Sequence, residues 1–393
     1  MSKFNELKLK KLRIIDGIFR LIYLNPKNKK SYPKIDKTEV NEIVLLGIWL
    51  IGDTIMHLPV INVIKKNFPK SRITIVCEKQ TEIILKNQNL VDNFILFKCP
   101  WVVPTNYSIK NVFNFFYSIK KVNQIHYDLA IEFRGDWRSI FYMNFIKSKR
   151  KISYNYSGGE YMLTDVIEPD YSINNLIYES LHLLKSIGCD FQKNDEVPIL
   201  KLNQDDFKLL NEFKLENNLN GKFVIGIHPG TTQIVKRWDE NKYAELIIKL
   251  NRTYNNTVFL IYEGPNESNT VLSIQKVLDE NKINYLKITR SLIEYIKFIS
   301  LSQIMVCNDS GASHIAGAYN IPLVVIFGSR GAEFVFPFGS QTQAIISHNL
   351  DCKPCLSSTC KLGTLLCLTS ISVDEVYLEV NRVVRQAYNY KIN

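Results

Sequence analysis

The sequence predicts an α/β fold with two domains. Short apolar runs of strand length alternate with stretches of helical periodicity, which is the pattern of parallel sheets covered by helices. Several of these runs end in glycines, small hydroxyl residues or a single charge. The carboxyl ends of parallel strands are where open α/β sheets bind their ligands. At 393 residues, the chain has the length of two domains that each bury a core.

The first βαβ unit begins with a predicted buried strand at residues 42–46, and an amphipathic helix leads to a second strand at 72–76. In the first turn, Gly47 and Gly52 have the spacing of a phosphate-binding loop, but Asp53 stands where that loop requires lysine. A carboxylate there repels phosphate, so nucleotide hydrolysis is excluded. We interpret Asp53 as a general base at a strand end, with a helix N-cap as the equally open alternative.

A second group of polar residues follows the predicted strand at residues 223–227. It contains the hydroxyl residues Thr231 and Thr232 and the cations Lys236 and Arg237. Such a group suits a phosphate next to a sugar, and Lys236 is placed to neutralise charge on a leaving diphosphate. For the two cations, a solvated basic turn is the alternative.

The next predicted strand, at residues 258–262, is followed by Glu267. Its carboxylate can accept hydrogen bonds from ribose hydroxyls. Alternatively, it is an ordinary acid in the first turn of a helix, where the helix dipole favours negative charge.

The most informative segment is residues 306–314, which predicts a strand, a tight turn and the start of a helix. Gly311 allows the backbone to approach a ligand closely. The first amides of a helix have no partner inside the helix and attract anions, so a diphosphate is the expected ligand. His314, about one turn further on, is predicted to face the same point. The alternative is that Asp309 and Ser310 only cap the helix.

Taken in chain order, these motifs resemble the heptosyltransferases of lipopolysaccharide core assembly, glycosyltransferase family 9. The resemblance runs over roughly residues 40–370 and rests on the following segments: 45–53, 228–232 with 236–238, and 309–314 with 327–328. Residues 127–139 are similar to the acceptor-side segment of that family. The resemblance implies the GT-B fold, in which two Rossmann-like domains face a central cleft. It also implies inverting, metal-independent transfer of heptose from ADP-heptose to a lipid-linked saccharide of the lipopolysaccharide inner core.

The resemblance further implies roles for individual residues. The catalytic pair would be Asp53, as base on the acceptor hydroxyl, and Lys236, at the leaving diphosphate. Arg134 and Arg138 would lie on the acceptor side. The donor site would contain Thr231, Thr232, Glu267, Asp309, Ser310, Gly311 and His314.

The loop after residues 327–328 departs from the family pattern and is predicted to lie near the donor sugar. A transferase of the same fold that uses a UDP- or GDP-hexose therefore stays open. So does a non-catalytic protein that binds sugar nucleotide or lipid.

The predicted domain organisation follows from the motifs. It comprises a basic amphipathic leader (1–38), an acceptor-side Rossmann-like domain (39–205), a donor domain (206–370) and a C-terminal helix (371–393) that returns toward the N-terminal domain.

Basic residues outnumber acidic ones, 49 to 38, for a net charge of +11. The excess is concentrated in residues 1–34, which hold ten Lys or Arg and two acids. A helix through this leader has an apolar face made of Phe4, Leu7, Leu12, Ile15, Ile18, Phe19 and Ile22. A basic amphipathic helix is typical of membrane-surface binding, and a helix packed on the protein body is the alternative. No recognised motif for nucleic-acid binding accompanies the charge.

The sequence predicts neither secretion nor a membrane span. Asp16 and Arg20 interrupt the apolar run of the leader. The apolar run at residues 43–52 ends at Asp53, well short of the roughly 20 residues that span a bilayer. The expected location is the cytoplasm, with the leader as a means of binding the inner face of the inner membrane.

Cysteines fall into two groups. Cys77, Cys99, Cys189 and Cys307 are scattered and predicted to be buried thiols. The second group is clustered at Cys352, Cys355, Cys360 and Cys367. Four such thiols can hold a structural zinc ion, and redox-sensitive or packed thiols are the alternative. Catalysis is expected to require no cofactor besides the nucleotide-sugar donor.

Overall fold

A computed structural model describes residues 6–22, 34–100, 109–340, 343–355 and 357–388. The chain divides into two compact units, Met1–Glu196 and Val197–Asn393. Each unit contains one sheet of six strands. The predicted α/β class is confirmed.

The first unit alternates strands and helices along the chain. Its strands are β1 (Glu42–Gly47), β2 (Arg72–Cys77), β3 (Asn93–Leu96), β4 (Tyr127–Ile131), β5 (Ser148–Ser153) and β6 (Asp165–Val166). Its α-helices are α1 (Glu6–Ile22), α2 (Ile51–Asn67), α3 (Lys79–Leu85), α4 (Ile109–Val122), α5 (Trp137–Asn144) and α6 (Leu176–Ser186). Short 3-10 turns lie at Glu160–Met162 and Lys193–Glu196.

The first sheet is parallel, in the order β3-β2-β1-β4-β5-β6. The strand order reverses between β1 and β4, and such a switch point is where open α/β sheets bind ligands. The helix α2, predicted as amphipathic, is buried at every position from Thr54 to Ile61. This happens because both α3 and α6 pack against it, so that it has almost no solvent face.

The second unit repeats this alternation. Its strands are β7 (Phe223–His228), β8 (Thr257–Glu263), β9 (Tyr285–Thr289), β10 (Ile304–Asn308), β11 (Leu323–Ile326) and β12 (Gln343–Ile346). Its α-helices are α7 (Gln204–Glu216), α8 (Glu240–Thr253), α9 (Ser268–Glu280), α10 (Leu292–Ile299), α11 (Gly311–Ala318), α12 (Ala332–Val335), α13 (Leu366–Thr369) and α14 (Val373–Tyr388). The sheet is parallel, in the order β12-β11-β10-β7-β8-β9, so its switch point lies between β7 and β10.

The division between the units falls after Glu196, whereas the sequence placed it after residue 205. The reason lies in local contacts. Asp195 forms an ion pair with Lys66 of α2, which holds the end of the first unit. Only a few residues later, the Leu200 amide donates to the Ala318 carbonyl of the second unit, at 3.1 Å.

The leader helix α1 packs on the first unit. Leu12 is buried, and the Phe19 ring contacts Trp137 of α5 with ring centroids 5.2 Å apart. Asp16 is also buried and accepts a hydrogen bond from the Gly159 amide at 2.9 Å. Of the predicted apolar face, Ile15 and Ile18 are exposed instead. The residues Phe4, Lys3, Lys27, Lys29 and Lys30, and the side chains of Leu7 and Ile22, lie outside the described part of the chain.

The C-terminal helix α14 belongs to the second unit. Its described buried face packs on α8, β11 and β12 of that unit. Val376, Val380, Val383 and Val384 of this face belong to that unit's hydrophobic core. The Tyr254 hydroxyl also donates to Asn381 at 2.5 Å. An amphipathic pattern shows that a helix has an apolar face, but not which surface covers it.

Among the residues that the structure describes, every helix is too short or too polar to cross a membrane.

Candidate active site

The switch point of the second sheet brings two predicted segments together. Cys307 of β10 pairs with His228 of β7, so the loops that follow these strands are neighbours. The fully buried Asn308 ties them together: its side chain donates to the Pro229 carbonyl at 2.7 Å and accepts from the Trp238 amide at 3.1 Å. Sequence analysis missed Asn308, although a polar residue that ends an apolar strand was the available signal.

Asp309 and Ser310 do not cap α11 through their side chains. Ser310 occupies the N-cap position without a side-chain bond to the helix. The Asp309 carboxylate instead forms an ion pair with Lys236, 2.5 Å from its Nζ, and both side chains are largely buried, at 5% and 12% exposure. The interpretation of these two residues as simple caps is therefore rejected. The ion pair fixes a cation beside the first amides of α11, which have no partner inside the helix.

Ser310 begins a hydrogen-bonded chain of three side chains. Its Oγ lies 3.3 Å from His228 Nδ1, and His228 Nε2 lies 3.2 Å from Glu267 Oε2. Burial would raise the pKa of Glu267, but the hydrogen bond and charge of His228, with the Gly264 amide, lower it below its usual value. An ionised Glu267 accepts the Nε2 proton of His228. In the tautomer whose Nε2 carries the proton, Nδ1 accepts the Ser310 hydroxyl proton, and this chain then orients the Ser310 oxygen.

Gly230 allows Glu267 to take this position. A Cβ at residue 230 would lie 1.9 Å from the Glu267 carboxylate carbon, so only glycine leaves the space. Glu267 was predicted to bind ribose or to be a first-turn acid. It stands at the N-cap of α9 without capping it, and also accepts from the Gly264 amide at 2.7 Å.

We expect Glu267→Gln and His228→Gln each to weaken ADP binding about tenfold, because either change releases the Ser310 hydroxyl from its fixed orientation. If both residues act through Ser310, the double variant should bind ADP no more weakly than either single variant. Calorimetric dissociation constants for the four proteins form the cycle. Losses that add would contradict the chain and favour a separate contact of Glu267 with the nucleotide.

The loop after β7 is shaped by Arg237. Its guanidinium donates to the Thr231 carbonyl at 2.7 Å and to the Thr270 hydroxyl at 3.2 Å. The alternative of a solvated basic turn is therefore rejected for Arg237, which organises the loop. Thr231 is buried and Thr232 is exposed at the loop surface. His314 lies buried on α11, one turn after Ser310.

In the first unit, Asp53 lies in the first turn of α2. The N-cap residue is Leu50, so Asp53 is not the cap. Its carboxylate is partly exposed and lies 3.6 Å from the Arg134 guanidinium. Because Arg134 follows β4, the two side chains meet at the switch point of the first sheet. A carboxylate held by a cation at a ligand-binding edge can serve as a base while it remains ionised.

The buried His57 supports this turn. Its ring stacks on Trp49 at 3.9 Å, its Nδ1 lies 2.7 Å from the Asp53 carbonyl oxygen, and its Nε2 lies 3.2 Å from the Ser180 hydroxyl. Burial lowers the pKa of His57 to about 4, so the ring is neutral near pH 7. The neutral ring therefore donates from Nδ1 and accepts from Ser180. The sequence offered no reason to single out His57.

The two arginines predicted on the acceptor side contact different carboxylates. Arg134 faces Asp53, whereas Arg138 pairs with Asp136, its Nε lying 2.8 Å from Oδ1. Asp136 also caps α5 by accepting from the Arg138 amide. The geometry brings Arg134 to the candidate base and assigns Arg138 to the start of α5.

Glu132 organises the loop that carries Arg134. Its buried carboxylate accepts from the Gly135 amide and the Ser153 hydroxyl, both at 2.7 Å. Gly135 has a φ of +59°, which favours glycine. Burial, partly opposed by the Ser153 hydrogen bond and reinforced by the charge of Asp136, raises the pKa of Glu132 to about 7.

This pKa predicts a pH-dependent stability. Between pH 4.5 and 7 the unfolded chain releases the Glu132 proton while the folded chain retains it, so rising pH destabilises the fold by up to about 3 kcal/mol. Glu132→Gln removes the titrating carboxyl group and with it this pH-dependent loss of stability. The free energy of unfolding of Glu132→Gln minus that of the unaltered protein should therefore be larger at pH 8 than at pH 4.5. Denaturant titrations at both pH values measure the difference, and the exposed Glu168→Gln is the matched control. An equal difference at both pH values would contradict the assignment.

The four scattered cysteines are buried, as predicted, whereas the four clustered ones differ in their exposure. Cys77, Cys99, Cys189 and Cys307 are buried free thiols. Of the C-terminal group, Cys367 is buried, Cys352 is exposed, and Cys355 and Cys360 are intermediate. Within the described ranges, His, Cys, Asp and Glu side chains form no group of three or more arranged to hold a metal ion. The Cys355 amide instead donates to the Ser329 carbonyl at 2.7 Å, which ties this segment to the loop after β11.

Each of the two α/β units presents polar side chains at the switch point of its sheet, which is where open α/β sheets bind ligands. The fold is similar to that of E. coli ADP-heptose lipopolysaccharide heptosyltransferase II, with a TM-score of 0.70 at 19% identity over 88% of this chain and 99% of that one. It is also similar to a glycosyltransferase family 9 protein from Veillonella parvula, with a TM-score of 0.74 at 16% identity over 91% and 100%. The fold is therefore of the GT-B type.

The sequence identifies the family. Residues 116–366 match glycosyltransferase family 9 (heptosyltransferase). The lipooligosaccharide heptosyltransferase 2 of Campylobacter jejuni is 25% identical over 350 residues, which are 86% of this chain and 97% of the relative. The chain belongs to glycosyltransferase family 9 and is a glycosyltransferase of the heptosyltransferase type.

Proposed function

We propose that the protein moves a heptose from ADP-heptose to a lipid-linked saccharide of the lipopolysaccharide inner core, with inversion and without a catalytic metal ion. The names of the relatives support heptosyl transfer and, for the E. coli protein, the ADP-heptose donor. The observation that carries the proposal is the Lys236–Asp309 ion pair at the start of α11. It holds a cation where a donor diphosphate would meet helix amides.

In this proposal the donor diphosphate binds the amides that follow Ser310, with the Ser310 hydroxyl oriented by His228. Thr231 and Thr232 border the diphosphate from the loop after β7. Asp309 and His314 lie toward the sugar, and Glu267 contributes through His228. The larger part of the predicted donor site thus surrounds a single switch point.

Asp53 takes the proton of the acceptor hydroxyl as its oxygen attacks the anomeric carbon. The bond from that carbon to the diphosphate oxygen breaks, and its electron pair leaves with ADP. Inversion follows because attack and departure occur on opposite faces. Lys236 and the α11 amides stabilise the negative charge that develops on the leaving group. This arrangement supplies from the protein the positive charge that a divalent ion supplies in other transferases.

Arg134, 3.6 Å from the Asp53 carboxylate, orients this base and lies on the acceptor side. A lipid-linked acceptor places the reaction in the cytoplasm, at the inner face of the inner membrane.

Calorimetric titration with ADP, UDP, GDP, ADP-heptose and UDP-glucose tests the donor assignment, using the unaltered protein and Asp53→Ala. Selective binding of ADP and ADP-heptose by both proteins is the expected result. Selective binding of a uridine or guanosine nucleotide would replace heptose by another donor. If none of the five binds, the donor site as described is refuted.

A further inference from the structure

The helix α4 exposes an apolar stripe on the first unit. Val112, Phe113, Phe116 and Tyr117 are each between 55% and 70% exposed. These positions follow helical i, i+1, i+4 and i+5 spacing and therefore share one face. The opposite face is the one that packs on the core, through Phe115, Ile119 and Val122. The exposed residues are thus not needed to hold the helix in place.

The helix α1 also exposes apolar side chains. Ile14 and Ile18, at i and i+4, are 67% and 56% exposed. Both helices contact α5, because Phe19 of α1 and Phe115 of α4 each pack against its aromatic side chains. A row of ring contacts joins them, with centroids 5.1–5.8 Å apart, through Phe19, Phe141, Phe145, Phe115 and Phe116.

The charged side chains of α4 that border its apolar stripe are basic. Lys120 and Lys121 continue the α4 stripe in its last turn, and the Lys121 ammonium lies 4.9 Å from the Tyr117 ring centroid. Within residues 12–20 and 112–122, where side chains are described, the one acid is Asp16, which is buried against Gly159. Exposed aromatic and aliphatic residues bordered by lysines, without acids among them, complement a surface that is both apolar and anionic.

We propose that Val112, Phe113, Phe116 and Tyr117 of α4, the lipid-facing surface, dock the protein on an anionic lipid bilayer. Phe113 and Phe116 enter the interfacial region, where aromatic rings are favoured, and Lys120 and Lys121 contact the anionic headgroups. This surface is distinct from the basic charge of the leader, and its binding does not depend on the identity of the donor. It adds a membrane-binding site on folded helices to the proposed transferase.

The test is sedimentation of the full-length protein with vesicles, without nucleotide. Vesicles of phosphatidylcholine with 30% phosphatidylglycerol, taken as about the anionic content of a bacterial surface, are compared with phosphatidylcholine alone. We expect the double variant Phe113→Ser, Phe116→Ser to lower the partition coefficient on anionic vesicles about tenfold or more. Lys120→Gln with Lys121→Gln should lower it on anionic vesicles and leave phosphatidylcholine binding unchanged.

The matched control replaces two exposed apolar residues of α7 in the second unit, as Phe207→Ser with Leu215→Ser. It should bind vesicles like the unaltered protein. Because all replaced side chains are exposed, thermal midpoints should stay close to that of the unaltered protein, which verifies folding. Equal vesicle binding by the Phe113, Phe116 variant, or no binding by the unaltered protein, would overturn the proposal. So would a dimer that this variant abolishes, since a second copy would then cover the surface.

Discussion

Replacing Asp53 by alanine is expected to reduce turnover by about three powers of ten, while ADP binding stays within about twofold. The loss follows because Asp53 is the carboxylate proposed to take the acceptor proton. Donor binding is expected to be preserved because the residues proposed to bind the donor belong to the second unit, whereas Asp53 lies in the first. Single-turnover rates and calorimetric ADP affinity, measured on the same preparation, check both parts.

Two variants separate the chemistry of Asp53 from its ion pair with Arg134. Asp53→Asn keeps the shape but not the basicity, and should be as slow as Asp53→Ala. Arg134→Gln removes the partner at 3.6 Å and should cost less than Asp53→Asn, because the base itself remains. Asp190→Asn, at a side chain that is 95% exposed in the same unit, is the control for loss of charge. Near-normal turnover by Asp53→Asn would remove Asp53 from the role of base.

Lys236→Ala should lower turnover by about two to three powers of ten, because departure of the diphosphate loses the cation proposed to stabilise its charge. The structure adds a second consequence. Asp309 is almost fully buried, so without Lys236 its carboxylate would be left without this cation beside the donor diphosphate. Part of the loss therefore has to come from repulsion between Asp309 and the donor. Steady-state kcat and the ADP dissociation constant report the two effects separately.

The double variant Lys236→Ala, Asp309→Asn distinguishes these effects. If Lys236 acts on the leaving group, the double variant should regain ADP affinity but remain slow in turnover. Recovery of normal turnover would show that Lys236 only neutralises Asp309. The exposed Lys276→Ala on α9 controls for loss of positive charge in the same unit.

The sequence predicted the fold class and the polar residues at the ends of several strands, because buried parallel strands appear as apolar runs and their polar ends stand out. The strand order, and with it the two switch points, came only from the structure. Sequence analysis placed Asp53 and Ser310 at strand ends, as the structure does. It did not predict where amphipathic elements dock. α1 and α14 each have an apolar face, but the surface that covers it depends on elements far away in the chain. For the same reason the boundary after Glu196 was placed too late.

For the candidate site, sequence analysis identified residues but not their partners. Two ion pairs join residues that are distant in the chain and that only the strand order brings together. They are Lys236 with Asp309, and Asp53 with Arg134. His228 was noted as part of a motif, but its position between Ser310 and Glu267 depends on the packing of three strand ends that are far apart in the sequence. For Lys236 and Arg237 a solvated basic turn was the alternative reading of the sequence, and the two hydrogen bonds of Arg237 within its loop rule it out for that residue.

The central claim, inverting transfer of heptose by a metal-independent base mechanism, is tested most directly by the product itself. The protein is incubated with ADP-heptose and a heptose-deficient lipid-linked core acceptor in excess EDTA, and the product is analysed by mass spectrometry and NMR. We predict one added heptose, with anomeric configuration opposite to that in the donor, and loss of this product with Asp53→Ala. A product with retained configuration, or transfer that stops in EDTA, would contradict the account.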